Sequence, residues 1–144
     1  MFYKCSIITT NIEVELIAVK KQNELKKLSD GELKVMQALW SIDGRASRKD
    51  IEEILCRDHA MAITTLLTFL SRLTEKGFVK TEKFGNANIY SALVKRHDYL
   101  RSESNDFIKK TCGGSMSAFA SALCDSGISR EELLELKKYL EEIR

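Results

Sequence analysis

The run MAITTLLTFLSRLTEKGFV, residues 61–79, decides the fold. At about 100° per residue, Ile63, Leu66, Leu67, Leu70 and Leu73 fall on one face of a helix. Thr64, Thr65, Thr68, Ser71 and Arg72 fall on the other. Gly77 stands just past the last periodic residue, where helices commonly stop. Residues 78–82 then read as a strand, and 88–93 read as its partner across a turn region at Gly85-Asn86. A helix over about 61–76 thus runs directly into a β-hairpin.

Working upstream, Ser47 and Asp50 are spaced to cap a second helix, whose apolar face is Ile51, Ile54 and Leu55. Before it, Asp43-Gly44 marks a turn. Ser29 and Glu32 form a capping-box pattern ahead of Leu33, Met36, Ala38, Leu39 and Trp40, which recur at helical spacing. Residues 28–94 therefore predict helix, helix, helix, hairpin, which is the order of a winged helix-turn-helix domain. The expected fold class is mostly α with a small β-hairpin.

Downstream, residues 95–144 read as helical. Tyr99, Phe107 and Ile108 mark a helix over about 96–111, broken by Gly113-Gly114. Met116, Phe119, Ala120 and Leu123 mark a second, and Ser129 with Glu132 caps a third. Fifty residues form too small a core alone. Leu133, Leu136, Tyr139, Leu140 and Ile143, with Phe107, Met116 and Phe119, are therefore expected to pack against a second copy of the chain. Residues 1–27 differ from the rest: Ile12, Val14 and Leu16 alternate with Glu13 and Glu15, and a charged stretch follows. They are either an extra edge strand or a loosely held extension.

Bulk charge does not identify a partner. The net charge is +2, and residues 29–94 and 95–144 each balance nine Lys/Arg against nine Asp/Glu. The direction in which the charges point must carry any nucleic-acid case. The outer face of residues 61–76 does so: three threonines, a serine and one arginine replace the Lys/Glu mixture of a solvated helix. Threonine hydroxyls bond base edges or phosphates, and their methyls pack on thymine methyls. With no Arg, Asn or Gln among the first turns, an A/T-containing half-site is expected, with Arg72 on phosphate. Lys80 and Lys83 on the hairpin are available to the backbone beside the groove. The same fold also serves protein–protein contact, and that reading remains open beside a metal-responsive regulator.

Other classes fare worse. No G-x-S-x-G, His-Glu-x-x-His or P-loop motif is present, so an enzyme is not expected. Cys56 and His59 are spaced like two zinc ligands but no second pair exists, so no metal or cofactor is expected. No apolar run approaches the roughly 20 residues that span a bilayer. The N-terminus lacks a signal-peptide h-region, and a cytoplasmic protein is expected.

The stretches LSDGELKVMQALW (28–40), TTLLTFLSRLTEKG (64–77) and FGNANIYSALV (84–94), followed by a helix and Gly113-Gly114, resemble the penicillinase-repressor family of the BlaI/MecI type, with copper-transport repressors as cousins. The resemblance covers about residues 28–144. It implies a homodimeric repressor with a winged helix and a C-terminal helical dimerisation arm, bound to inverted-repeat DNA operators. In the antibiotic-responsive branch it further implies a membrane-bound sensor peptidase system and cleavage within the arm at an Asn-Phe bond. The matching bond here is Asp106-Phe107, where a carboxylate replaces the amide. Two further departures stand out. Many relatives place Gly-Arg at the wing tip, where this chain has Gly85-Asn86. The copper-responsive cousins carry Cys-x-Cys pairs, which Cys112 and Cys124 cannot form.

Overall fold

The computed structural model describes residues 25–58 and 60–143, so the alternating stretch at 12–16 lies outside the described residues. They divide into two compact units, with the division at Ser102 and Glu103.

In the first unit, helix α1 spans Asp30–Ser41. Its start is closed reciprocally, as the expected capping box requires: the Glu32 N–H donates to Ser29 Oγ (3.4 Å) and the Ser29 N–H to Glu32 Oε2 (2.9 Å). Strand β1, Arg45–Ser47, follows, then α2, Arg48–Asp58. Ser47 and Asp50 cap α2 in the same manner, at 2.7 and 3.3 Å. Helix α3 is Ile63–Glu75. Gly77 takes φ +81° behind it. The Phe78 N–H reaches the Leu73 carbonyl (2.9 Å) and the Gly77 N–H that of Thr74 (3.1 Å), a Schellman end. Strands β2, Val79–Phe84, and β3, Ala87–Ala92, form the hairpin. Gly85, at φ +63°, opens its two-residue turn.

Among the described residues the sheet has three strands in the order β1-β3-β2, all antiparallel. Strand β1 is an addition to the expected hairpin. Its three residues are too few to show a period, yet Ala46 opposite Tyr90 is fully buried. Val35, Met36, Ile51, Leu66, Leu70, Leu73, Phe78 and Val79 form the centre of the core. Trp40 Nε1 donates to the Val94 carbonyl (2.8 Å), tying α1 to the end of the hairpin. Phe69 packs so close to Gly31 that any side chain at 31 would collide with its ring.

Glu32 has a second role. It is 2% exposed, and Lys76 Nζ lies 2.6 Å from its Oε2. Burial pushes its carboxyl pKa up, but hydrogen bonds from Lys76 and Ser29 outweigh this and hold it below the ordinary value. The pair fastens the end of α3 to the start of α1.

Helix α4, Arg96–Asp106, contains the division between the units. The expected boundary at 94/95 and the observed one differ because Tyr99 belongs to the first core, at 4% exposure. The second unit continues with a π-helical stretch, Phe107–Thr111, then α5, Met116–Asp125, and α6, Arg130–Glu142. The sequence predicted one unbroken helix over about 96–111; the structure changes hydrogen-bond register at Phe107. Phe107 and Phe119 meet edge to face with centroids 6.0 Å apart.

Candidate nucleic-acid interface

The residues that position this face are Leu66, Leu70 and Leu73, which anchor α3 in the core. Anchoring that side turns Thr64, Thr65, Thr68, Ser71 and Arg72 outward, and all five are exposed. Thr68 Oγ1 donates to the Thr64 carbonyl (2.9 Å), so its hydroxyl proton is committed to the helix. The oxygen lone pairs and the methyl remain to meet a ligand. Arg72 forms no ion pair with any described residue.

The two hairpin lysines differ. Lys80 Nζ is 2.9 Å from Glu82 Oε1, and Arg45 approaches the other Glu82 oxygen at 3.6 Å. The Lys80 hydrogen bond leads in holding the Glu82 carboxyl below its usual pKa. Lys80 is therefore not the free cation that the sequence predicted, because its near neighbour on the same strand face is a carboxylate. Lys83 is exposed and in no ion pair among the described residues. If the hairpin meets phosphate, Lys83 contributes more than Lys80. Lys83→Ala is expected to reduce the slope of log affinity against log salt by about one, and Lys80→Ala by less. Titrations of random-sequence duplex at several salt concentrations check this; an unchanged slope in Lys83→Ala removes the hairpin from the interface.

Ile63 and Leu67 share the apolar face of α3 with the core leucines, yet they are 47% and 41% exposed. The buried arc is narrower than the apolar one, since the core closes over only three of the five positions. Leu67 instead borders a groove of about 510 Å³ shared with Lys49 at the start of α2 and with Asn86, Asn88 and Tyr90 of the hairpin. Among the described residues no carboxylate lines it. The sequence reading missed Lys49 and the two asparagines. Lys49 stands two residues after a capping serine, which was the available signal.

A helix, a short strand, two further helices and a hairpin in this order, with the third helix presenting an exposed polar face, define a winged helix-turn-helix protein of the DNA-binding regulator class. A family model described as the penicillinase repressor matches residues 28–142. The chain belongs to the penicillinase repressor family, and is a DNA-binding transcriptional repressor rather than an enzyme. It is similar to the penicillinase repressor of Bacillus licheniformis, 28% identical over 83% of this chain and 93% of that one. It is also similar to the methicillin resistance regulatory protein MecI of Mammaliicoccus sciuri, 30% identical over 82% and 96% of the two chains. Among solved structures it is similar to the DNA-binding domain of the repressor BlaI, 26% identical, over 53% of this chain and 92% of that one, with a TM-score of 0.47. Among the described residues no helix is long and apolar enough to cross a membrane.

Proposed function

We propose that the protein represses by holding an inverted-repeat DNA operator as a homodimer, and that a membrane-bound sensor peptidase system ends repression by causing cleavage in the C-terminal unit. Thr64, Thr65, Thr68, Ser71 and Arg72 face the operator in this reading, with Lys83 at the backbone and Lys80 a weaker contributor.

The observation that carries the reading is the state of residues 103–143. None of them is buried, yet Phe107, Met116, Leu134, Leu136, Tyr139, Leu140 and Ile143 are large, apolar and exposed. On α6, Leu133, Leu136, Leu140 and Ile143 share a stripe, with Tyr139 at its edge. A face this apolar on so short a segment is stable when a second copy covers it. Two winged helices then reach half-sites about one helical turn, roughly 10 base pairs, apart.

For the cleavage step, the support is local. The α-helical register ends at Asp106 and the π-helical stretch begins at Phe107, so the Asp106-Phe107 bond sits where the helix already departs from regular bonding. The Asp106 carboxylate is held by Lys110 at 2.9 Å, which an opening of this turn must break. In cells exposed to a cell-wall antibiotic, footprints over the gene's own upstream region are expected to fade while a fragment ending at Asp106 appears by mass. Lost footprints with the chain intact would replace cleavage by a bound ligand, and no footprint before induction would overturn the operator reading.

A further inference from the structure

We infer that Leu67, with Ile63 one turn before it, selects thymine by packing on its C5-methyl group, which makes an aliphatic pair the specificity determinant of α3. The inference rests on the reading above that α3 enters the major groove of an operator.

Helical spacing places these two residues with the core leucines, and the structure leaves both of them about half exposed. They lie at i and i+4 on the first two turns, so their side chains are neighbours. The N-terminal turns of a recognition helix are the part that meets base edges. Over residues 63–71 that part carries no Arg, Lys, Asn or Gln, so the bidentate pairings with guanine and adenine are not on offer. What it presents outward is hydroxyls and the Ile63–Leu67 stripe. The thymine methyl is the apolar group on the major-groove edge of the base pairs.

Charge identifies the occupant as DNA rather than an apolar protein surface. The groove beside Leu67 is edged by Lys49 and by Arg48, whose guanidinium lies 3.4 Å from Glu52, and finished by the amides of Asn86 and Asn88. Among the described residues no carboxylate lines it, although the surrounding domain balances its charges evenly. An apolar strip between the Lys49 ammonium and neutral amides fits a polyanion that offers methyl groups at its centre and phosphates at its margins.

The experiment uses the full-length protein and duplexes that it enriches from a randomised library. Each thymine of the enriched half-site is then replaced by deoxyuridine, which deletes the methyl and keeps every hydrogen bond. At one or more positions the wild-type protein is expected to lose about fourfold in affinity, the value of one buried methyl. Leu67→Ala is expected to bind the thymine and uracil duplexes alike, and Leu67→Met, which keeps an apolar side chain, to retain the discrimination. Far-UV circular-dichroism melts, expected to match those of the wild type, show that the variants are folded. An enriched site at which no uracil substitution weakens the wild-type protein overturns the inference without touching the repressor reading. A loss of equal size in Leu67→Ala does the same. If no sequence is enriched at all, the repressor reading fails and takes the inference with it.

Discussion

Ending the chain after Val94 is expected to destabilise the winged-helix unit severely, whereas ending it after Ser102 leaves it folded. The difference is Tyr99. Its ring lies 5.8 Å from that of Trp40 and meets Phe78 edge to face at 5.9 Å. Its Oη accepts from the Leu28 N–H at 3.4 Å. Removing a buried aromatic of this kind costs about 3–5 kcal/mol, and a domain's whole stability is on the order of 5–15 kcal/mol. Trp40 also donates to the Val94 carbonyl, which becomes a frayed terminus in the shorter chain. Urea midpoints of chains 1–94 and 1–102 measure the difference. Both lack α5 and α6, so both are expected to sediment as monomers and to bind duplex weakly. Equal midpoints would place α4 outside the unit, and a dimeric 1–102 chain would move the interface away from the C-terminal helices.

Lys76→Met is expected to lower stability by about 3 kcal/mol, with a melting point falling by roughly 12–24 °C for a unit of this size. The substitution leaves Glu32 buried with a charge and no cation beside it. The figure sits at the lower end of the range for broken buried pairs because the Lys76 side chain is 26% exposed. Adding Glu32→Gln should recover most of the loss. Glutamine keeps the capping box, which needs only an acceptor for the Ser29 N–H. The pH dependence follows from the depressed pKa of Glu32. Its contribution is fully present above the unfolded value of about 4.3 and is lost as pH falls through the lower folded value. The double variant should lack this acid limb. Thermal melts from pH 7 to 3 test both points, and a double variant no more stable than Lys76→Met would show that the lysine acts through its stem alone.

What could be read without coordinates was whatever depends on near neighbours in the chain. The pairs Ser29 with Glu32, Ser47 with Asp50, and Ser129 with Glu132 announce helix starts because a capping box spans only three residues. Leu66, Leu70 and Leu73 announce a buried face because their spacing matches the helix. Periodicity does not give the width of that face. Leu67 is about 100° from Leu66 and belongs to the apolar pattern, yet the number of neighbours available to cover it is a tertiary fact. The same holds for Glu32, whose partner is 44 residues away. It holds too for Tyr99, whose apolar spacing pointed toward the C-terminal helices while its contacts lie with Trp40 and Phe78. On the hairpin, Glu82 lies two residues from Lys80, close enough to foresee; alternation in a strand puts both on one face.

Helix α6 is closed at its start by Ser129 and Glu132 although none of its residues is buried. At 13 residues it is near the length at which a helix is marginal by itself, so a cap worth about 1 kcal/mol matters. A strip already wound before anything settles on it does not have to order its backbone during the encounter. In the proposed homodimer, pairing through α6 is then governed by collision and release, so two copies bearing different tags and mixed in solution should exchange partners at the rate at which the pair comes apart, with no slow refolding phase.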